Sequence, residues 1–261
     1  MILFSLSFIW LCGIISYEIF VSSQFVPHNK INMRFRKTIR LAETQPIRMV
    51  HAPYNLPVLH PLNSSVQHNL QSKNVIFSFT VGFCPKDPPF LMSARKFFSG
   101  DIVIAVGDTC RKYFIQKLID YGVIIYVIPL KRLQNDIEYV FSSLPENASL
   151  PAPILRYYIY QYWASIYNTD ANILISDFRD VFFQKNPFSY KNELWLTSRA
   201  SIAVALEVYP NKIIKNCNFN RPWVAKCFGS RAAGFIDRFT VSCSGVTIGT
   251  RDSILVYVRI H

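Results

Sequence analysis

The sequence predicts an α/β domain with a mostly parallel central sheet flanked by helices, set behind a hydrophobic leader and a stem. Three observations predict it. Short apolar runs rich in β-branched residues recur along the body at Asn74–Val81, Ile102–Val106, Val123–Ile128 and Asn172–Ser176. Helical patterns separate them at the spacing of a β-α-β unit. The runs are continuous rather than alternating, as in parallel strands covered on both faces.

The leader comes first. Ile2 to Val21 is nearly all apolar, interrupted late by Tyr17 and Glu18. It is about long enough to cross a bilayer as a helix. It also reads as a signal peptide, with Ile2 to Ile15 as the apolar region and Val21-Ser22-Ser23 as small residues for cleavage. No basic residue precedes it, whereas Lys30, Arg34, Arg36, Lys37 and Arg40 follow it. That order argues against an uncleaved anchor with a lumenal body. Residues 1–23 are therefore read as a signal peptide or a signal anchor, with the membrane as partner through this segment. Residues 24–73 form a basic stem in which Pro27, Pro46, Pro53, Pro57 and Pro61 break regular structure. Residues 74–261 are the globular domain. Asn63-Ser64-Ser65 and Asn147-Ala148-Ser149 are N-glycosylation sequons. Together these features place the body in the secretory pathway, as a Golgi membrane protein or, if cleaved, a secreted one.

Within the body, Gly82 closes the first strand and Gly107 the second. Asp108 is expected to cap a helix from Thr109 to Tyr121 with Cys110, Phe114, Leu118 and Tyr121 on one face, stopped by Gly122. Pro129 ends the third strand. Leu150-Pro151-Ala152-Pro153 introduces a helix to Tyr167. One face carries Leu155, Ile159, Tyr162 and Ile166, and another carries Arg156, Tyr160, Trp163 and Tyr167. Trp163 and its tyrosines read as packing, not as a base-stacking platform. Further strands are expected at Ile202–Leu206 and Thr240–Ile248, with a cysteine- and aromatic-bearing loop between them. Cys12 lies in the leader. Among Cys84, Cys110, Cys217, Cys227 and Cys243 the favoured disulfide is Cys217–Cys227, clamping the loop of Arg221, Pro222 and Trp223; free thiols are the alternative. There is no CxxC, which argues against a zinc site.

Composition narrows the function. Of 261 residues 51% are apolar and 15% aromatic, which excludes an intrinsically disordered chain. The net charge of +12 suits nucleic acid, an anionic membrane or an anionic small molecule. Beyond the 30–40 cluster the basic residues form no stripe, and no nucleic-acid-binding motif occurs, so nucleic acid is not the expected partner.

The chemistry concentrates where the strand Asn172–Ser176 runs into Asp177-Phe178-Arg179-Asp180. Open parallel sheets bind ligands beyond the carboxyl ends of their strands. Two aspartates one turn apart suit a hard divalent cation, Mn2+ or Mg2+, which in turn holds a diphosphate. Arg179 suits phosphate oxygens or its acidic neighbours. The alternative is a solvent-facing turn in which Arg179 pairs with the aspartates. Arg156 is either a phosphate ligand or an exposed helix charge. Glu207 is a candidate base, with a plain loop residue as the alternative.

The stretch from Arg156 through Tyr167, followed by Ile173-Leu-Ile-Ser-Asp-Phe-Arg-Asp-Val-Phe-Phe-Gln-Lys-Asn-Pro-Phe188, resembles GT-A glycosyltransferases of the nucleotide-diphospho-sugar transferase superfamily. Val241-Ser-Cys-Ser-Gly-Val-Thr-Ile-Gly-Thr-Arg251 is similar to the small-residue strand of that family. The resemblance implies a Rossmann-like GT-A fold and transfer of a sugar from a nucleotide-diphosphate sugar to a hydroxyl of a glycan, glycoprotein or glycolipid. It implies Asp177 and Asp180 as metal ligands, Arg156 and Arg179 as positive charge toward the diphosphate, and Ser244 and Gly245 as close-approach positions. Asp-Phe-Arg-Asp replaces the usual Asp-x-Asp, which leaves open which aspartate meets the metal. The family continues past the strand at Gly245 to a metal-binding histidine. His261 is too close to that strand to be it, so the chain is expected to be C-terminally incomplete. The rival readings are an inactive secretory protein of the same fold and a basic polyanion-binding extracellular module.

Overall fold

A computed structural model describes residues 2–3, 20–21, 59–132, 139–141, 152–189, 202–206 and 212–260. In chain order the strands are β1 (Ile2–Leu3), β2 (Phe20–Val21), β3 (Asn74–Thr80), β4 (Asp101–Gly107), β5 (Ile124–Ile128), β6 (Leu130–Arg132), β7 (Tyr139–Phe141), β8 (Asn172–Asp177), β9 (Ile202–Leu206) and β10 (Ser242–Thr250). The α-helices are α1 (Pro89–Phe97), α2 (Lys112–Asp120), α3 (Ala152–Ile166), α4 (Asn220–Phe228), α5 (Ser230–Ile236) and α6 (Arg251–Ile260). The chain divides into two compact units, 1–49 with 198–244 and 50–197 with 245–261.

The second unit is α/β. Its strands lie in the order β10-β8-β3-β4-β5. β8, β3, β4 and β5 are mutually parallel, and β10 runs antiparallel to β8 with Val246 opposite Ser176 and Thr250 opposite Asn172. Both faces are covered, which accounts for the continuous apolar runs. On one face Ile76, Ile102, Ile104 and Leu174 pack with Phe90, Leu91 and Ala94 of α1 and Phe114 and Leu118 of α2. Each such aromatic or leucine contributes about 1.5–3 kcal/mol by leaving water. On the other face Phe77 and Tyr126 meet Trp163 of α3, with ring centroids 5.4 and 5.1 Å apart. Two polar side chains of β3 are buried: Ser78 donates to the carbonyl of Ser176 at 2.7 Å and Thr80 to that of Phe83 at 2.6 Å, which offsets their burial.

Several boundaries differ from the sequence expectation for local reasons. Asp108 does not cap α2, which starts at Lys112 with Arg111 before it. The Asp108 carboxylate instead accepts from the Leu130 amide at 3.3 Å. Gly122, at φ 61°, does end that helix. Helix α1 was not expected; Pro89 occupies its first turn, where its missing N–H costs nothing. On α3, Trp163 and Tyr160, and Tyr167 just after it, are buried as expected of packing residues, whereas Tyr162 is exposed.

The amino edge of the sheet is braced twice. The Arg95 guanidinium donates to the carbonyls of Phe98, Gly100, Tyr121 and Gly122 at 2.6–3.2 Å, tying the ends of α1 and α2 together. Beside it, Tyr167 donates to Asp101 at 2.8 Å, so its oxygen accepts from His68 Nδ1–H, and His68 Nε2 is hydrogen-bonded to the Tyr126 hydroxyl at 2.8 Å. Burial lowers the His68 pKa against the opposing pull of Asp101.

In the first unit β1 pairs antiparallel with β2, and β2 pairs parallel with β9 through Phe20 and Ala203. The expected loop between β9 and β10 holds α4 and α5, joined at Gly229 with φ 87°. Arg221 pairs with Asp237 through two contacts of 2.8 and 3.3 Å. The expected Cys217–Cys227 clamp is overturned: Cys217 is a free, buried thiol whose sulfur accepts from the Asn220 backbone and side chain at 3.4 Å.

Of the leader, Ile2–Leu3 and Phe20–Val21 are strands, and the rest lies outside the described residues, as do the stem up to residue 58, Glu207, Asn147 and His261. Among the described residues no helix is long and apolar enough to cross a membrane.

Candidate functional site

The connections of the second unit create a switch point. From β3 the chain moves outward through β4 to β5, then returns through α3 to β8 on the other side of β3. Loops leaving the carboxyl ends of β3 and β8 therefore diverge to opposite sides, which opens the crevice where such sheets take ligands. Asp177 is the last residue of β8 and lies opposite Phe79 of β3.

The sequence shapes the loop after β8 residue by residue. Phe178 turns into the core, 5.1 Å from the Phe90 ring and 5.7 Å from Phe114. Phe183 is buried, and its amide donates to Ser93 of α1 at 3.0 Å. At Asn186-Pro-Phe188 the Asn186 side chain accepts from the Phe188 amide at 3.0 Å, and Phe188 packs on Phe98. With Phe178, Phe183 and Phe188 anchored inward, Arg179, Asp180 and Phe182 are left exposed and Asp177 partly so.

Arg156 of α3 reaches Asp177 at 2.6 Å, with side-chain exposures of 14% and 39%. The pair is thus largely withdrawn from water on the arginine side and open on the carboxylate side. Arg156 also lies over the Tyr157 ring at 5.1 Å. Burial opposes its charge, but the fields of Tyr160, Tyr157 and Asp177 and a hydrogen bond with Tyr157 hold its pKa above the ordinary guanidinium value. Tyr160 is fully buried, and burial raises its pKa despite the field of Arg156. Tyr257 of α6 packs edge-on to Tyr157 at 6.1 Å. A tyrosine wall therefore lowers the dielectric behind Arg156, strengthening its grip on Asp177.

The neighbouring loops at this edge are cross-linked. Cys84, after β3, forms a disulfide with Cys110, after β4. Tyr113 of α2 donates to the Cys84 carbonyl at 2.9 Å. Arg179 stacks over Phe83 at 5.4 Å, which joins the β8 loop to the β3 loop.

Of the residues singled out from sequence, Arg156, Asp177, Arg179 and Asp180 thus share the carboxyl edge of β8. Gly245 is buried on β10 immediately before Val246, the partner of Ser176. Ser244 lies on β10, its side chain outside the described residues. Arg156 is not an exposed helix charge, and Arg179 stacks on an aromatic ring. Sequence reasoning placed Tyr160 on the face of Arg156 as a packing residue, but it missed Tyr157 and Tyr257 and the Cys84–Cys110 link.

Among the described residues no cluster of three or more His, Cys, Asp or Glu side chains is present. A divalent cation at Asp177 and Asp180 would accordingly take one or two carboxylates and complete its shell from ligand oxygens and water, the usual arrangement for Mg2+ with phosphates. Compared with known proteins, the chain matches no protein-family model and no curated protein.

Proposed function

We propose that the chain is a secretory-pathway glycosyltransferase that moves a sugar from a nucleotide-diphosphate sugar to a hydroxyl acceptor with Mn2+ or Mg2+. The observation that carries this reading is the placement of Asp177, a half-open carboxylate at the switch point of a parallel sheet, with Asp180 three residues on. The resemblance of the segment 156–188 to GT-A enzymes supports it. The Cys84–Cys110 disulfide supports the lumenal compartment, since such bonds persist in oxidising surroundings.

In this reading Asp177 and Asp180 hold the cation. When bound, it neutralises the diphosphate and stabilises it as a leaving group. Arg156 fixes the Asp177 carboxylate in one orientation and carries a permanent positive charge into the crevice. Arg179, already aligned on Phe83, adds a second charge at its mouth. Gly245 leaves room for close approach, having no side chain to obstruct it.

The test is calorimetric titration with nucleoside diphosphates, with manganese and with chelator. Binding should require the metal, vanish in Asp177→Ala, and weaken at least about tenfold in Asp180→Ala, or about 1.4 kcal/mol. Equal affinity with metal and chelator, or in wild type and both variants, would sink the proposal. Turnover of a nucleotide sugar separates an enzyme from an inactive relative of the same fold.

A further inference from the structure

We propose that Asn63 carries an N-linked oligosaccharide whose first sugars lie along the outer edge of β5; this rests on the lumenal reading above. β5 is the last strand of the sheet in its unit. A bare edge offers unpaired backbone groups to other chains. Here the edge is only partly covered. Pro61 bridges to Tyr126, and the Leu62 amide donates to the Ile125 carbonyl at 2.7 Å. The cover is short, and Val127 on the strand, on the His60 side of that bridge, and Val66 on the covering segment remain exposed.

Asn63 stands where the cover stops. The Ser65 amide and hydroxyl both bond the Leu62 carbonyl, at 2.8 and 2.7 Å, closing a tight turn with Asn63 and Ser64 exposed at its tip. Asn63-Ser64-Ser65 has no proline at its middle position, so it is a complete sequon. An open recess of about 380 Å³ lined by Leu62, Asn63, Ser64 and Val127 adjoins the tip. It gives the root of a glycan space against the strand edge. Attachment precedes folding, so the later burial of the Ser65 hydroxyl does not block it. The Asn63 amide nitrogen bonds to the anomeric carbon of a lipid-diphosphate-linked oligosaccharide. The anomeric carbon–oxygen bond breaks, the lipid diphosphate leaves, and the amide proton passes to the transferring enzyme.

The full chain is expressed in secretory cells, released from glycan enzymatically in heavy-oxygen water, and mapped by peptide mass spectrometry. Asn63 should appear as labelled aspartate, and Asn63→Gln should lose one glycan's mobility shift. Stripping the folded protein should increase self-association in sedimentation, and Val127→Lys, which puts a charge on the bare edge, should reverse that increase. Unlabelled Asn63 with Cys84–Cys110 oxidised in the same sample overturns the modification and leaves the lumenal reading standing. Unlabelled Asn63 with both thiols reduced overturns both. A labelled Asn63 whose removal leaves association unchanged overturns the shielding of β5.

Discussion

Removing the partner of Asp177 is the most direct probe of the crevice. In Arg156→Met the carboxylate keeps its place at the end of β8 but loses the guanidinium 2.6 Å away. At an effective dielectric of about 20, charges about 4 Å apart attract by roughly 4 kcal/mol, which sets a ceiling. Exposed pairs contribute only about 0–1 kcal/mol, whereas removing one partner of a buried pair costs about 3–5 kcal/mol. With exposures of 14% and 39% the pair lies between these limits. The expected loss is therefore about 2 kcal/mol, or a fall in Tm of about 4–8 °C. Asp177→Asn should destabilise by a similar amount, since Arg156 is the more buried member and would be left facing a neutral amide. The double variant should recover about 1 kcal/mol or more relative to the sum, measured by urea unfolding of all four proteins. Single effects that add to within about 0.3 kcal/mol would refute the coupling and return Arg156 to an independent helix residue.

Other perturbations test the scaffold. Cys84→Ser with Cys110→Ser opens a cross-link spanning 26 residues, so thermal unfolding should register a loss of about 3.5 kcal/mol. The folded His68 takes a proton less readily than an unfolded histidine of pKa 6.5. Stability should be full above pH 6.5 and fall as the pH drops toward the folded value, and His68→Gln should flatten that dependence in pH-resolved unfolding. A Cβ at Gly100 would stand 2.6 Å from the Phe98 ring and 2.9 Å from the Asn74 carbonyl. Gly100→Ala should therefore cost about 1–3 kcal/mol in the same assay, and a neutral result would mean that the Phe98 ring swings aside freely.

Most of the sheet was legible because its strands are buried on both faces. Such strands write themselves as unbroken apolar runs, and the expected ranges for β3, β4, β5, β8 and β9 fall within about two residues of those found. What depends on contacts far apart in sequence was not legible. Nothing local to Arg156 says that a partner 21 residues away will hold it, or that Tyr257 will close in behind. The disulfide was misplaced for the same reason: proximity in sequence favoured Cys217 with Cys227, while parallel strands bring the loops of Cys84 and Cys110 together. Helix α1 did leave a signal, a proline at its first turn and Arg95 and Lys96 in its last. The antiparallel course of β10 left none, since a strand's direction is set by its connections.

The Arg95 brace has a consequence for how the molecule opens. One guanidinium holds carbonyls that follow α1 and carbonyls that follow α2, so neither helix can lift from the sheet without breaking bonds that belong to the other. Local fraying of either β-α pair is thereby coupled to its neighbour. In native-state hydrogen exchange, backbone amides of α1 and α2 should share one opening free energy, and Arg95→Met should split that single isotherm into two.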